Sequence, residues 1–302
     1  MTIPVGKPCA TGSQYPGLCQ THGVAIVLAL ASALVYGIAD YTGGRASRVH
    51  PAFVVTFVGQ AAVAPLLLVA ALATGTPFPD GSTVWWSVAG GAIGSLALAG
   101  LYYSFSRGAI TIVAPVSAAV GAVVPLLVGV ATGDRPGGLA VVGIVVAVAA
   151  VVLVSGAIGE HHVPTPPGVV ALAAAAGAGF GFMYVALART ADDAGMWPVT
   201  IARWPTLVVL GAACLLSGAR PGPQRSVLAL AVLAAVLDNS ANLLYLLSTR
   251  EGMLSVVAVI SSLYPASTVT LAFLLDRERV TRWQALGMTM VAVALVLVTL
   301  GR

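Results

Sequence analysis

The sequence predicts an all-α polytopic membrane protein in which ten transmembrane helices form two inverted five-helix repeats. Three observations carry that prediction. Of 302 residues, 59% are hydrophobic and only 8% are charged, and the mean hydropathy is +0.99, a balance that a water-soluble globular chain of this size does not reach. Apolar runs of spanning length recur along the chain, separated by short Gly, Pro or charged breaks. The second half also repeats the first at a fixed offset.

The runs fall, in order, at 24–42, 52–73, 84–106, 110–131, 138–157, 168–189, 197–217, 227–248, 253–275 and 282–300. Each approaches the roughly 20 apolar residues that cross a hydrocarbon core. The breaks GGRASRVHP (43–51), GDRPGG (133–138) and DRERVTR (276–282) are too short to hold a soluble domain. Residues 1–22 carry one lysine, two cysteines and several Gly and Pro around no apolar core, so they read as a disordered lead-in and not as a signal peptide. The stretch GEHHVPTPPG (159–168) is the longest non-apolar interior segment and divides the chain as a linker would. The expected organisation is therefore a lead at 1–22, one repeat at 23–158, a linker at 159–167 and a second repeat at 168–302.

A shift of 144 residues superposes Gly37 on Gly181, Gly108 on Gly252, Val113 on Val257, Ala114 on Ala258, Ser117 on Ser261, Arg135 on Arg279 and Gly143 on Gly287, and it sets Tyr36 against Phe180 and Asp134 against Glu278. Ala, Val and Leu coincidences are cheap in this composition. The Gly, Ser and Arg matches in a single register are not. Five spans per half is an odd number, so the second half enters the membrane from the opposite side and the functional centre is expected where the halves meet.

The formal charge of +4 comes from arginines scattered between apolar runs, with no basic cluster, so nucleic acid is excluded as a partner. With ten spans both termini share one side, together with Lys7, Arg135, Arg189, Arg250 and Arg302. Arg45, Arg48, Arg107, Arg220, Arg225, Arg277, Arg279 and Arg282 fall on the other, and the positive-inside rule then points the termini outward. Cys9, Cys19 and Cys214 show no metal-ligand spacing. His161 and His162 beside Glu160 sit in a Pro-rich stretch and read as solvated linker. No Ser-His-Asp set, HExxH, CxxC or phosphate loop is present. No catalytic residue, metal or cofactor is expected.

The segment SSLYPASTVTLAFLLDRERVTRWQALGMTMVAVALVLVTLG (261–301) resembles the carboxy-terminal part of an EamA-type repeat of the drug/metabolite transporter superfamily. A proline-bearing span containing Pro265 leads to a Glu278-Arg279 turn, and Gln284 and Gly287 open the last helix. APVSAAVGAVVP (114–125), Asp134 and Gly143 resemble the same pattern in the first half, and VYGIADYTGGRASR (35–48) resembles its first helix, with Tyr36 before Gly37 where tryptophan is common. The resemblance spans nearly the whole chain beyond Thr21. It implies a basket of ten helices with a central cavity lined by the first, third, fourth, sixth, eighth and ninth, and it implies cytoplasmic termini, against the charge count.

LDNSANLLYLLS (237–248) places Asp238 near mid-bilayer, where an ionisable group costs about 2.5–3.5 kcal/mol on insertion scales and faces a wet cavity or a partner inside the bundle. Asp238, Asn242 and Tyr245 share one helical face. Asp238 is the first candidate for a proton or cation site, against a fixed ion pair with Arg203. Arg203, shortly inside its span, reads as a snorkelling side chain. Asn242 and Tyr245 touch ligand or tie helices; Asn239 points aside and reads as structural. Tyr36 and Asp40 lie one turn apart, with Asp40 expected to pair with Arg45 at the membrane edge. Tyr102 and Tyr103 read as interfacial belt residues. Ser117 and Ser261 occupy equivalent repeat positions where helices approach closely. Pro115, Pro125 and Pro265 bend their spans, and Tyr264 is presented at the last bend.

These features predict a multi-pass protein of the cell membrane. Its partners are the lipid bilayer and a small-molecule substrate (a metabolite, amino-acid-like compound or drug), moved by alternating access with proton coupling through Asp238. An intramembrane enzyme acting on lipid-borne groups, or a receptor or scaffold without transport, are the competing readings. The sequence names neither substrate nor oligomeric state.

Overall fold

The computed structural model of the protein describes residues 17–135, 137–154, 165–218, 225–276 and 281–300. Lys7, Cys9, His161, His162, Glu160, Arg220, Arg277, Glu278, Arg279 and Arg302, with most of the 159–167 linker, lie outside them, as do the side chains of Cys19 and Gln284.

All described regular structure is helical. The elements are α1 (Gly17–Ser47), α2 (Ala52–Ala73), α3 (Gly81–Arg107), α4 (Ile110–Ala131), α5 (Gly138–Val154), α6 (Pro167–Ala188), α7 (Trp197–Ile201), α8 (Arg203–Ser217), α9 (Arg225–Glu251), α10 (Leu254–Ser261), α11 (Pro265–Leu275) and α12 (Arg282–Leu300). α1 reaches back to Gly17, into the segment expected to be unstructured, because adding residues to an existing helix is far cheaper than nucleating one.

Among the described residues, eight stretches are long and apolar enough to cross a membrane: Gly23–Ser47, Ala52–Ala73, Gly81–Arg107, Ile110–Ala131, Pro167–Ala188, Trp197–Ser217, Arg225–Glu251 and Leu254–Leu275. Two of the expected spans are each broken into two helices. α7 passes into α8 through a turn at Ala202, because Pro205 has no N–H to offer the carbonyl of Ile201. The Ser262–Tyr264 turn separates α10 from α11, where Pro265 likewise leaves the carbonyl of Ser261 without a donor.

α1 packs along α9, and α3 along α6; α4 lies against α6, α2 against α9 and α8, and α5 against α12. Hydroxyls stitch the first of these pairs: Ser32 Oγ donates to Ala241 O at 2.9 Å and Ser248 Oγ to Ala25 O at 2.6 Å. Val27, Leu66, Val208, Leu215 and Leu216 are exposed on the outside, the expected face toward lipid. At the start of α3 the Asp80 carboxylate accepts from Thr83 N at 3.0 Å. Hydrogen bonds from Thr83 hold that carboxyl below its usual range, so the cap is intact at neutral pH and is lost as pH falls through the lowered value.

The closest crossings use glycine. A Cβ on Gly177 of α6 would strike the carbonyl oxygen of Ser117 on α4. Gly177→Ala is expected to destabilise the bundle by about 1–3 kcal/mol through overpacking, whereas Gly168→Ala, with open space around its Cβ, leaves the melting temperature in detergent unchanged.

Candidate functional site

Asp238 lies midway along α9 and is 6% exposed. Its Oδ2 accepts from Gln60 Nε2 of α2 at 3.1 Å and stands 3.5 Å from Arg203 Nη1 of α8. Arg203 is 5% exposed, and its Nε donates to Val199 O at 3.3 Å. It therefore does not snorkel, because its guanidinium is held inward by the carboxylate. Gln60 Oε1 accepts from Asn239 Nδ2 at 2.9 Å, and the same amide donates to Ala235 O at 2.7 Å. One compensated charge pair with two amides thus joins α2, α8 and α9 in the dry interior. Removing one partner of such a pair is far more damaging than removing both, since it strands a buried charge.

A cavity of ≈ 10 Å³ adjoins the pair and is lined by Asp238, Arg203, Gln60, Gly94, Phe180 and Met183, among others. That is about the space one water molecule needs. Gly94 and Asp238 are equivalent positions under the 144-residue shift, so the cavity sits where the two halves face each other.

Beside the charge pair stands a cluster of tyrosines. Tyr184 stacks on Tyr245 with centroids 4.4 Å apart, and Tyr36 lies 6.0 Å from Tyr184 and 6.3 Å from Tyr264. All four are buried. Tyr184 and Ser117 come close to Tyr36 and Tyr264 respectively, yet Tyr36 Oη and Ser117 Oγ make no hydrogen bond of good geometry. Ser261 Oγ and Asn242 Oδ1 are likewise buried without a partner. Asn242 Nδ2 donates to the Asp238 backbone oxygen at 2.8 Å, which leaves its Oδ1 as a spare acceptor.

The fold therefore brings Asp238, Arg203, Asn242, Tyr245, Tyr36 and Tyr264 into one interior region, with Ser117 on α4 and Ser261 on α10 among its orphaned polar groups. Two expectations fail on burial. Asp40 is 6% exposed, and Arg45 turns away from it to Asp276 and the Tyr41 hydroxyl. Tyr102 is no belt residue: it is 2% exposed and its ring packs on Gly43, whereas Tyr103 is 44% exposed. Asn239, read as structural, binds Gln60. The sequence reading missed Gln60 and Tyr184, although a mid-span amide beside Gly59 is a signal of the same kind as Asp238.

The family model of the EamA-like transporter family matches the chain twice, over residues 23–156 and 167–300. One solved crystal structure superposes with a TM-score of 0.69 at 17% identity, covering 92% of this chain and 97% of that one; at that identity the likeness concerns the fold. Comparison with curated proteins finds no match.

Arg203→Gln is expected to destabilise the protein by about 3–5 kcal/mol, and the double variant Arg203→Gln with Asp238→Asn by less than Arg203→Gln alone. Denaturation of the purified variants in detergent measures this coupling.

Proposed function

Because the chain belongs to the EamA-like transporter family, we propose that this multi-pass membrane protein is a secondary transporter that moves a small metabolite, amino-acid-like compound or drug by alternating access. In this reading ten spans, with α5 and α12 supplying the fifth and tenth, form two inverted five-helix halves that rock around the region of Asp238 and the tyrosines. The membrane is the cell membrane, and the termini are cytoplasmic as in the family.

The observation that carries the reading is that helix contacts recur between elements that the 144-residue shift makes equivalent, around an interior site. A Cβ on Gly181 would lie 2.8 Å from Gly121 O, and one on Gly37, the residue 144 positions earlier, 2.6 Å from Tyr264 O. Gly91 of α3 meets the Ala202 carbonyl just before α8, while Gly59 of α2 meets Ala231 and Ala235 of α9, the pair of elements that the 144-residue shift makes equivalent.

The contacts that close the two ends fit the same reading. At one end Asp276, after α11, takes Arg45 at 3.4 Å, Arg48 at 3.3 Å and the Tyr41 hydroxyl at 3.0 Å. At the other, Asp134, after α4, accepts from Ser255 N at the start of α10 at 2.9 Å. Each contact joins one half to the other. The arginine side chains are 51% and 37% exposed, and ion pairs of that kind contribute about 0–1 kcal/mol. Opening an end is therefore cheap beside breaking the interior pair, which is what a rocking mechanism needs.

Proton coupling through Asp238 follows from its place: a proton on the carboxylate releases Arg203 and loosens α8 from α9. In proteoliposomes with an imposed pH gradient, Asp238→Asn is expected to abolish the gradient dependence of uptake of radiolabelled amino acids and amines; equal uptake by wild type and variant rejects the coupling. A cysteine placed at Asn242 is expected to react with a water-soluble maleimide, whereas a permanently sealed residue favours a scaffold.

A further inference from the structure

We infer that Asp40, with Tyr36 and Tyr264, forms a subsite for the positively charged end of the transported solute, so that the substrate class is an organic ammonium compound. The inference rests on the transporter reading and deepens it.

Among the described residues, three charged side chains are buried: Asp40, Arg203 and Asp238. Two of them neutralise each other. Asp40 is left over, with neither a hydrogen bond nor an ion pair among the described residues. The groups within its electrostatic reach supply no positive charge: they are Asp238 on α9, Tyr102 on α3, Tyr184 on α6 and Tyr264 ahead of α11. The nearest arginine along its own helix, Arg45, is committed to Asp276 and Tyr41. Buried charges are ordinarily paired, and an interior carboxylate in a membrane marks a ligand or ion path. A cationic solute supplies the partner that lets this carboxylate ionise.

The surroundings narrow its chemistry. Tyr36 lies one turn before Asp40 on α1, and its buried Oη makes no hydrogen bond of good geometry although Tyr184 is close. Tyr36 and Tyr264 set two tilted rings 6.3 Å apart in the interior, and aromatic rings attract alkylammonium groups, while the carboxylate accepts charge-assisted hydrogen bonds from N–H donors. A divalent metal ion demands several oxygen ligands, usually more than one of them charged, and no cluster of three acidic, histidine or cysteine side chains occurs among the described residues. The balance of one uncompensated carboxylate fits one monovalent organic cation.

The test titrates the full chain in detergent with primary amines from methylammonium to 2-phenylethylammonium, with neutral 2-phenylethanol and anionic 3-phenylpropanoate as matched controls, and reads the melting temperature. At least one amine is expected to raise it saturably and the controls not at all. The apparent Kd is expected to weaken by about tenfold or more in Asp40→Asn, the loss of one charge-assisted contact, and to be largely retained in Asp40→Glu. A purely structural Asp40 would change the melting temperature without ligand and leave the amine-dependent shift intact, which overturns the inference. So does the absence of any amine effect on wild type, or a response to the controls equal to that to the amines. Vesicle flux separates the two readings: solute flux indifferent to Asp40→Asn overturns the subsite and leaves the transporter, and amine binding through Asp40 without flux does the reverse.

Discussion

The structure depends on keeping an ionised carboxylate inside a membrane bundle. Asp238 is tolerated there because Arg203 compensates its charge and Gln60 fills one of its lone pairs. Those partners come from α8 and α2, so the charge is compensated once α8 meets α9, and the carboxylate gains its amide donor only when α2 from the first half packs against them. The pair thereby acts on specificity of assembly as well as on stability, because a misregistered α8 would strand a charge and a misregistered α2 would leave the carboxylate without its amide donor. The neighbouring tyrosines, with Tyr184 stacked on Tyr245 and Tyr36 tilted against Tyr184, continue this polar seam through the interior.

Around the seam, small residues let backbones touch. The crossings at Gly37, Gly91, Gly177 and Gly181 bring helices to within carbonyl contact, where packing and hydroxyl-to-carbonyl bonds such as that of Ser32 replace the hydrophobic drive that lipid does not provide. Thin polar contacts at the two ends stand apart from these close crossings within the bundle.

Most of the architecture was legible in the sequence, since spanning length, composition and the 144-residue register are properties of the chain read along its own axis. The shared face of Asp238, Asn242 and Tyr245 followed from helical periodicity. What could not be read were partners brought together by packing. Gln60 meets Asp238 across 178 positions; a mid-span amide marks an inward-facing polar site, but nothing in its own run names the carboxylate it meets. Arg203 and Asp40 were both placed nearer to water than they are, because distance along a span is a poor measure of depth once a helix is broken or its neighbours overhang it; here the break at Ala202 sets Arg203 at the start of α8, pointing inward. Arg45 was assigned to Asp40 by closeness in sequence, while Asp276 captured it from the far end of the chain.

The partial exposure of the Asp276 contacts sets them apart from everything in the interior. At physiological ionic strength charges in water are screened over about 8 Å, and buried ones hardly at all. In the proposed rocking cycle the electrolyte bathing that face therefore weighs on how long the molecule dwells shut there. On the same proposal the opposite face, tied by a carboxylate to a backbone amide instead of to arginines, answers to it less, so the two compartments do not have equal leverage over the cycle.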